Sequence, residues 1–178
     1  MERYVAFLRG INVSGKNKIA MPALKKCFEE LSYINVITYI NSGNVIFSDD
    51  GKDEAELAVE ISSMIKMEFS FGVPVAVIKI KNLSEILQKA PEWWGNDSKE
   101  IYDNLIFIIP PTTFEEVYEE IGEARHEYEK IYNWNNVIFW SFFKDKYSKT
   151  NWVKTASSKI NDKITIRTAN TVRKILCL

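Results

Sequence analysis

The chain has 178 residues, 46% hydrophobic, 26% charged and 13% aromatic, with a formal net charge of −1. These are the proportions of ordinary folded domains, and they exclude a collagenous repeat, a disordered chain and a continuous coiled coil. The length suits one ordinary domain or two small ones, each able to bury a core. No apolar run approaches the roughly 20 residues of a membrane-spanning helix, so no membrane partner is expected. At the start, Arg3 precedes an apolar stretch, Tyr4 to Leu8, that is too short for a signal peptide and lacks a small-residue cleavage site. Cys27 and Cys177 are isolated in sequence, which points to a reduced, cytoplasmic protein. The single histidine, His126, sits in the charged stretch Glu123 to Glu127 and reads as solvated. One histidine and no Cys-x-x-Cys leave no ordinary zinc ligand set, and no metal or cofactor is expected.

The elements follow in chain order. Tyr4 to Arg9 is of strand length, and the loop Gly10-Ile11-Asn12-Val13-Ser14-Gly15-Lys16-Asn17-Lys18 comes after it. Pro22 suits the first turn of a helix running to about Ser32, with Leu24, Cys27, Phe28 and Leu31 on its apolar stripe. Strands at Val36 to Ile40 and Val45 to Phe47 flank Asn41-Ser42-Gly43-Asn44, a tight hairpin connection. Asp53 and Glu56 form a capping box for a helix from Glu54 to Phe69, which Gly72 is expected to end. Pro74 to Ile80 returns as a strand, and Asn82-Leu83-Ser84-Glu85 opens a short helix with a second capping box.

Pro91 to Ser98 is the best linker candidate, and the order then recurs. Leu105 to Ile109 is a strand, Thr113 caps a helix through Ile121, and strands follow at Glu127 to Tyr132 and Val137 to Phe142. A helix around Asn151 to Lys159, a strand from Ile164 to Arg167 and a last helix from Asn170 to Leu178 complete the chain. The expected fold is therefore α+β. It has two split β-α-β, ferredoxin-like lobes of βαββαβ order, at 1–81 and 103–178, joined by 82–102 and extended by a C-terminal helix. The halves share this pattern without residue identity.

Charge is unevenly distributed along the chain. Met1 to Lys26 carries +5, Cys27 to Phe139 carries −13, and Trp140 to Leu178 carries +7. Such asymmetry is a hint of an anionic partner. The loop after the first strand is the strongest local candidate. Gly10 and Gly15 let the backbone turn and present N–H groups, Arg9, Lys16 and Lys18 bring positive charge, and a helix N-terminus follows. Its G-x-x-x-x-G-K spacing stops short of a nucleotide-binding P-loop, because Asn17 stands where Ser or Thr would hold magnesium. In a split βαβ sheet the first and third strands are neighbours, which brings Arg9, Asn12 and Asn44 toward one side. Amides there would suit binding or electrostatic stabilisation rather than proton transfer. The tail mixes Trp140, Phe142, Phe143, Tyr147 and Trp152 with lysines. That pattern is shared by single-strand nucleic-acid platforms and by core aromatics, and its periodicity favours core.

Arg9 to Met21 followed by Tyr39-Ile40-Asn41-Ser42-Gly43-Asn44-Val45-Ile46-Phe47 resembles the bacterial domain-of-unknown-function family numbered 1697. Thr165-Ile166-Arg167-Thr168-Ala169-Asn170-Thr171-Val172 is similar to its C-terminal signature, with Thr168 and Ala169 standing where the family usually has Asn and Trp. The resemblance implies a two-lobed α+β bacterial protein and supplies no catalytic residues. It adds weight to a site formed by Arg9, Asn12, Gly15, Lys16, Asn17, Ser42, Gly43 and Asn44, with Arg167, Asn170 and Thr171 as further matches. The leading expectation is a protein that binds a small phosphate- or carboxylate-bearing ligand at the Arg9 to Lys18 loop. The alternatives are an acylphosphatase-like hydrolase and a nucleic-acid-binding protein acting through its basic terminal segments. The two-lobed form is also compatible with a homodimer.

Overall fold

The computed structural model describes all of residues 1–178, and these divide into two compact units, Met1–Ser84 and Glu85–Leu178. Each unit is built on one four-stranded antiparallel sheet. The protein is thus α+β, as its pattern predicts.

In the first unit β1 (Glu2–Leu8), β2 (Ile34–Tyr39), β3 (Asn44–Asp49) and β4 (Val75–Lys79) are ordered β2-β3-β1-β4. Helices α1 (Met21–Glu30) and α2 (Glu54–Phe69) pack on the sheet face that carries Tyr4, Ala6, Leu8, Val45, Phe47, Val75 and Val77. Pro22 sits in the first turn of α1, and Leu24, Cys27 and Phe28 are its buried stripe. Asp53 and Glu56 form the expected capping box on α2. The helix ends earlier than Gly72: Ser70 takes the left-handed C-cap at φ 61°. β2 is longer at its start than Val36, because a bulge between Ile34 and Ile37 lets two more residues reach β3.

Helix α3 (Ile80–Gln88) leaves β4 without a break, rather than opening at Asn82. Glu54 of α2 holds this junction instead. Its Oε1 accepts from Lys79 N at 2.7 Å and Asn82 Nδ2 at 2.9 Å.

The second unit contains β5 (Ile101–Ile108), α4 (Phe114–Ile121), β6 (Glu129–Trp134), β7 (Val137–Phe143), β8 (Ile164–Thr168) and α5 (Ala169–Leu176). Its sheet order, β6-β7-β5-β8, repeats that of the first unit. Thr113 and Glu116 cap α4 with a full capping box. The segment Pro91 to Ser98 is folded against this unit: Trp94 is buried, donates Nε1–H to Asn104 O at 2.8 Å and stacks edge-on to Phe139.

The helix expected at Asn151 to Lys159 is replaced by three 3₁₀ segments, Lys144–Lys149, Trp152–Ala156 and Asn161–Lys163. Short polar side chains hydrogen-bond the backbone there and divert it from α-helix. Thr150 Oγ1 donates to Tyr147 O at 2.7 Å, Thr155 Oγ1 to Trp152 O at 2.7 Å, and Asn161 Nδ2 to Ala156 O at 2.7 Å. Strand β6 starts two residues later than expected, since Tyr128 N and Glu129 N both turn back onto Arg125 O.

Candidate functional site

The loop between β1 and α1 is a built structure. Gly10, Asn12, Ser14, Gly15 and Asn17 all have φ between 46° and 77°, so the backbone turns through repeated left-handed positions. Glycine adopts these without a steric cost, and asparagine tolerates them through local hydrogen bonding. Val13 and Lys16 form an isolated bridge, closed by Lys16 N donating to Val13 O at 3.0 Å. Asn12 N donates to Asn17 O at 3.1 Å, and Asn17 Nδ2 returns to Gly10 O at 3.2 Å.

Asn12 is the organiser. Its Oδ1 accepts from Ile19 N at 2.8 Å, while Nδ2 donates to Ile19 O at 2.9 Å and to Asn41 O at 3.0 Å. One side chain thus closes the loop on itself and ties it to the β2–β3 hairpin. Arg9 N donates to Pro74 O at 2.9 Å, fastening the loop's other end to the start of β4. Ile11 and Ile19 are buried and anchor the loop in the core.

The hairpin meets β1 as its topology predicts. Asn44 is paired with Phe7, and Leu8 N donates to Gly43 O at 2.8 Å. A Cβ at Gly43 would stand 2.8 Å from Leu8 Cβ and 2.9 Å from Ile11 Cδ1, and φ there is +76°, so both space and backbone require glycine. Asn44 is fully buried, and its Nδ2 donates to Tyr39 O at 3.0 Å and Ser42 Oγ at 3.1 Å. Both amide hydrogens of Asn44, like both of Asn12, are therefore engaged by the protein.

What the loop presents outward is cationic. Lys16 and Lys18 are exposed and have no ion-pair partner, whereas Lys25 and Lys26 on α1 face Glu29 and Glu30 at 3.7 and 3.5 Å. No side chain caps the N-terminus of α1, whose N-cap is Ala20. Arg9 is half-buried at the loop's root.

Arg167 and Asn170 belong to the second unit. Arg167 is buried in β8, and its Nη1 donates to Thr165 Oγ1 at 2.8 Å and Ile166 O at 2.9 Å. Asn170 is exposed in the first turn of α5. Thr168 is the N-cap of that helix, its Oγ1 accepting from Thr171 N at 3.2 Å, and Ala169 is buried beside it. The tail aromatics Trp140, Phe142 and Trp152 are core residues, while Phe143 and Tyr147 are exposed. His126 lies on the surface, 3.4 Å from Glu123 Oε1.

Sequence reasoning missed Glu129, a carboxylate only 2% exposed. Its oxygens accept from Trp140 Nε1 at 2.9 Å, Arg125 N at 3.0 Å, Asn151 N at 2.5 Å and Trp152 N at 3.3 Å. It joins β6 to β7, to the turn at Arg125 and to the start of the second 3₁₀ segment. In sequence it stands among five acids between Glu119 and Glu129, and only its place opposite Phe142 in the sheet distinguishes it.

Fold and loop together define a small α+β protein of two similarly ordered units. One of them carries a lysine-bearing loop, closed by its own hydrogen bonds, at the end of its first strand. The chain belongs to the family described as "Protein of unknown function (DUF1697)", which matches residues 1–139. The motif at Thr165 to Val172 lies beyond the matched residues. Among solved structures, a conserved bacterial protein, SP0830 from Streptococcus pneumoniae, is similar at 29% sequence identity. The likeness covers 99% of this chain and 97% of that one, with a TM-score of 0.85. No curated protein matches the chain.

Proposed function

We propose that this protein binds a small phosphate- or carboxylate-bearing ligand at the loop between β1 and α1. The observation that carries the reading is the pairing of two exposed, unpaired lysines, Lys16 and Lys18, with a backbone held rigid by Asn12. Pre-ordering matters because a loop that must be immobilised on binding loses affinity. The uncapped N-terminus of α1 adds a favourable partial charge on the same side. Asn12, Asn17 and Asn44 act in this reading as positioning residues, since both amide hydrogens of Asn12 and Asn44 are engaged within the protein and Asn17 Nδ2 donates to Gly10 O. Arg9 and the two lysines supply the ligand's counter-charge, and Gly15 allows its close approach. The sheet order and antiparallel register support ferredoxin-like lobes, and two unbridged cysteines are in keeping with a cytoplasmic protein.

Thermal unfolding against inorganic phosphate, phosphate monoesters and small carboxylates tests this. A ligand present at 100 times its dissociation constant stabilises by about 2.7 kcal/mol, a shift of several degrees. The shift is expected in wild type and absent in Lys16→Ala/Lys18→Ala. An equal shift in both proteins, or none in either, would overturn the reading.

A further inference from the structure

We propose that the β2 edge of the first unit is a self-association surface that pairs with β2 of a second copy of this chain. Leu31 to Ser48 is the longest uncharged run in the sequence, 18 residues where the chain's average of 26% would put about five charges. It comprises the β2–β3 hairpin up to the last residue of β3, Asp49, and β2 is an edge of its sheet. Of the other edge strands, β4 ends on the half-buried Lys79 and β6 carries the exposed Lys130, whereas the one charge of β8, Arg167, is buried. Edge strands present unpaired backbone groups and are ordinarily guarded by charges, proline or bulges.

The side chains agree with the backbone. The only exposed isoleucines in the protein, Ile34, Ile37 and Ile40 at 44%, 36% and 50%, all lie on this short stretch. Its one guard is the bulge at Ile34–Ile37, with Asn35 at φ 54°, which leaves the strand regular from Ile37 to Tyr39. The occupant follows from electrostatics. In a two-fold antiparallel pair centred on Thr38, Thr38 meets Thr38, Ile37 meets Tyr39 and Val36 meets Ile40. A charge on this strand would face its like, and there is none. Opposed β-branched and aromatic residues favour such pairing. A foreign strand, by contrast, would find no charge here by which to be selected. The ladder is short, so the association is reversible.

Sedimentation equilibrium of the full chain tests this over micromolar to submillimolar concentrations. The mass of the wild type is expected to rise toward twice the monomer, while Ile37→Lys stays monomeric with an unchanged circular dichroism spectrum. A wild type that stays monomeric, or an Ile37→Lys protein that still doubles, would overturn the proposal. Should Ile37→Lys fail to fold, oxidation of Thr38→Cys in a Cys177→Ser background reads the same contact. Disulfide-linked dimer forming faster than from Lys130→Cys, on the edge of the other sheet, supports it, and an equal or slower rate refutes it.

Discussion

At the scale of single residues, two asparagines and one glycine decide the shape of the candidate site. Asn12→Ala removes two donated bonds and one accepted one, leaving Ile19 N and two carbonyls without that partner. A loss of about 1–3 kcal/mol in urea unfolding is expected. Asn12→Asp keeps the acceptor for Ile19 N and is expected to cost less. Glycines separate by the same logic. Gly43→Ala must push against Leu8 and Ile11 at a left-handed position, whereas Gly15→Ala has the same backbone problem in open space. Gly15→Ala is expected to cost about 1 kcal/mol and Gly43→Ala at least twice that in the same unfolding experiment. Asn-Ser-Gly-Asn reads from sequence as a turn. Its tight approach to β1 does not, because no local pattern tells which atoms of Leu8 and Ile11 will lie over Gly43.

At the scale of elements, buried and half-buried carboxylates couple strands to the segments that cross them. Glu129→Gln retains the side chain's size but turns an N–H₂ toward backbone N–H donors. Its destabilisation is expected to approach that of Glu129→Ala, about 3 kcal/mol, by denaturant unfolding. In the first unit Glu60 accepts from Lys52 Nζ at 2.8 Å and Tyr33 Oη at 2.6 Å. Burial alone would raise its pKa, but those two donors outweigh it and hold the carboxyl below its ordinary range. For Tyr33, burial and the same hydrogen bond push the phenol up. A carboxyl lowered by folding adds stability that is complete above its unfolded pKa of about 4.3 and is lost as pH falls through the folded value. Wild type is therefore expected to lose more stability than Glu60→Gln between neutral pH and about pH 3, measured by urea midpoints. Elements with strong end signals, such as α2 and α4, were readable with their caps. The crossover from β7 to β8 was not, since its apolar spacing suits a helix while Thr150, Thr155 and Asn161 bond the backbone in short turns.

At the scale of the whole molecule, the sequence's charge pattern survives folding in a selective way. The six bases before Cys27 do not form one basic surface: Arg3 lies in β1, Lys25 and Lys26 are matched within α1, and Lys16 and Lys18 stand on the loop without an ion-pair partner. The repeated β-α-β-β order was legible in hydrophobic periodicity and turn residues, and both sheets have the strand order it implies. What sequence could not show is which motif atoms face inward. Asn12 and Asn44 have the chemistry of ligand donors, yet both amides are bonded to backbone or to Ser42. The central claim, an ordered cationic loop that receives an anion, is tested most directly by amide ¹H–¹⁵N spectra during titration with inorganic phosphate. Saturable shifts concentrated at Gly10 to Ile19 and the first turn of α1, and lost in Lys16→Ala/Lys18→Ala, are the predicted result. Unmoved loop amides, or shifts that persist in the double variant, would contradict it.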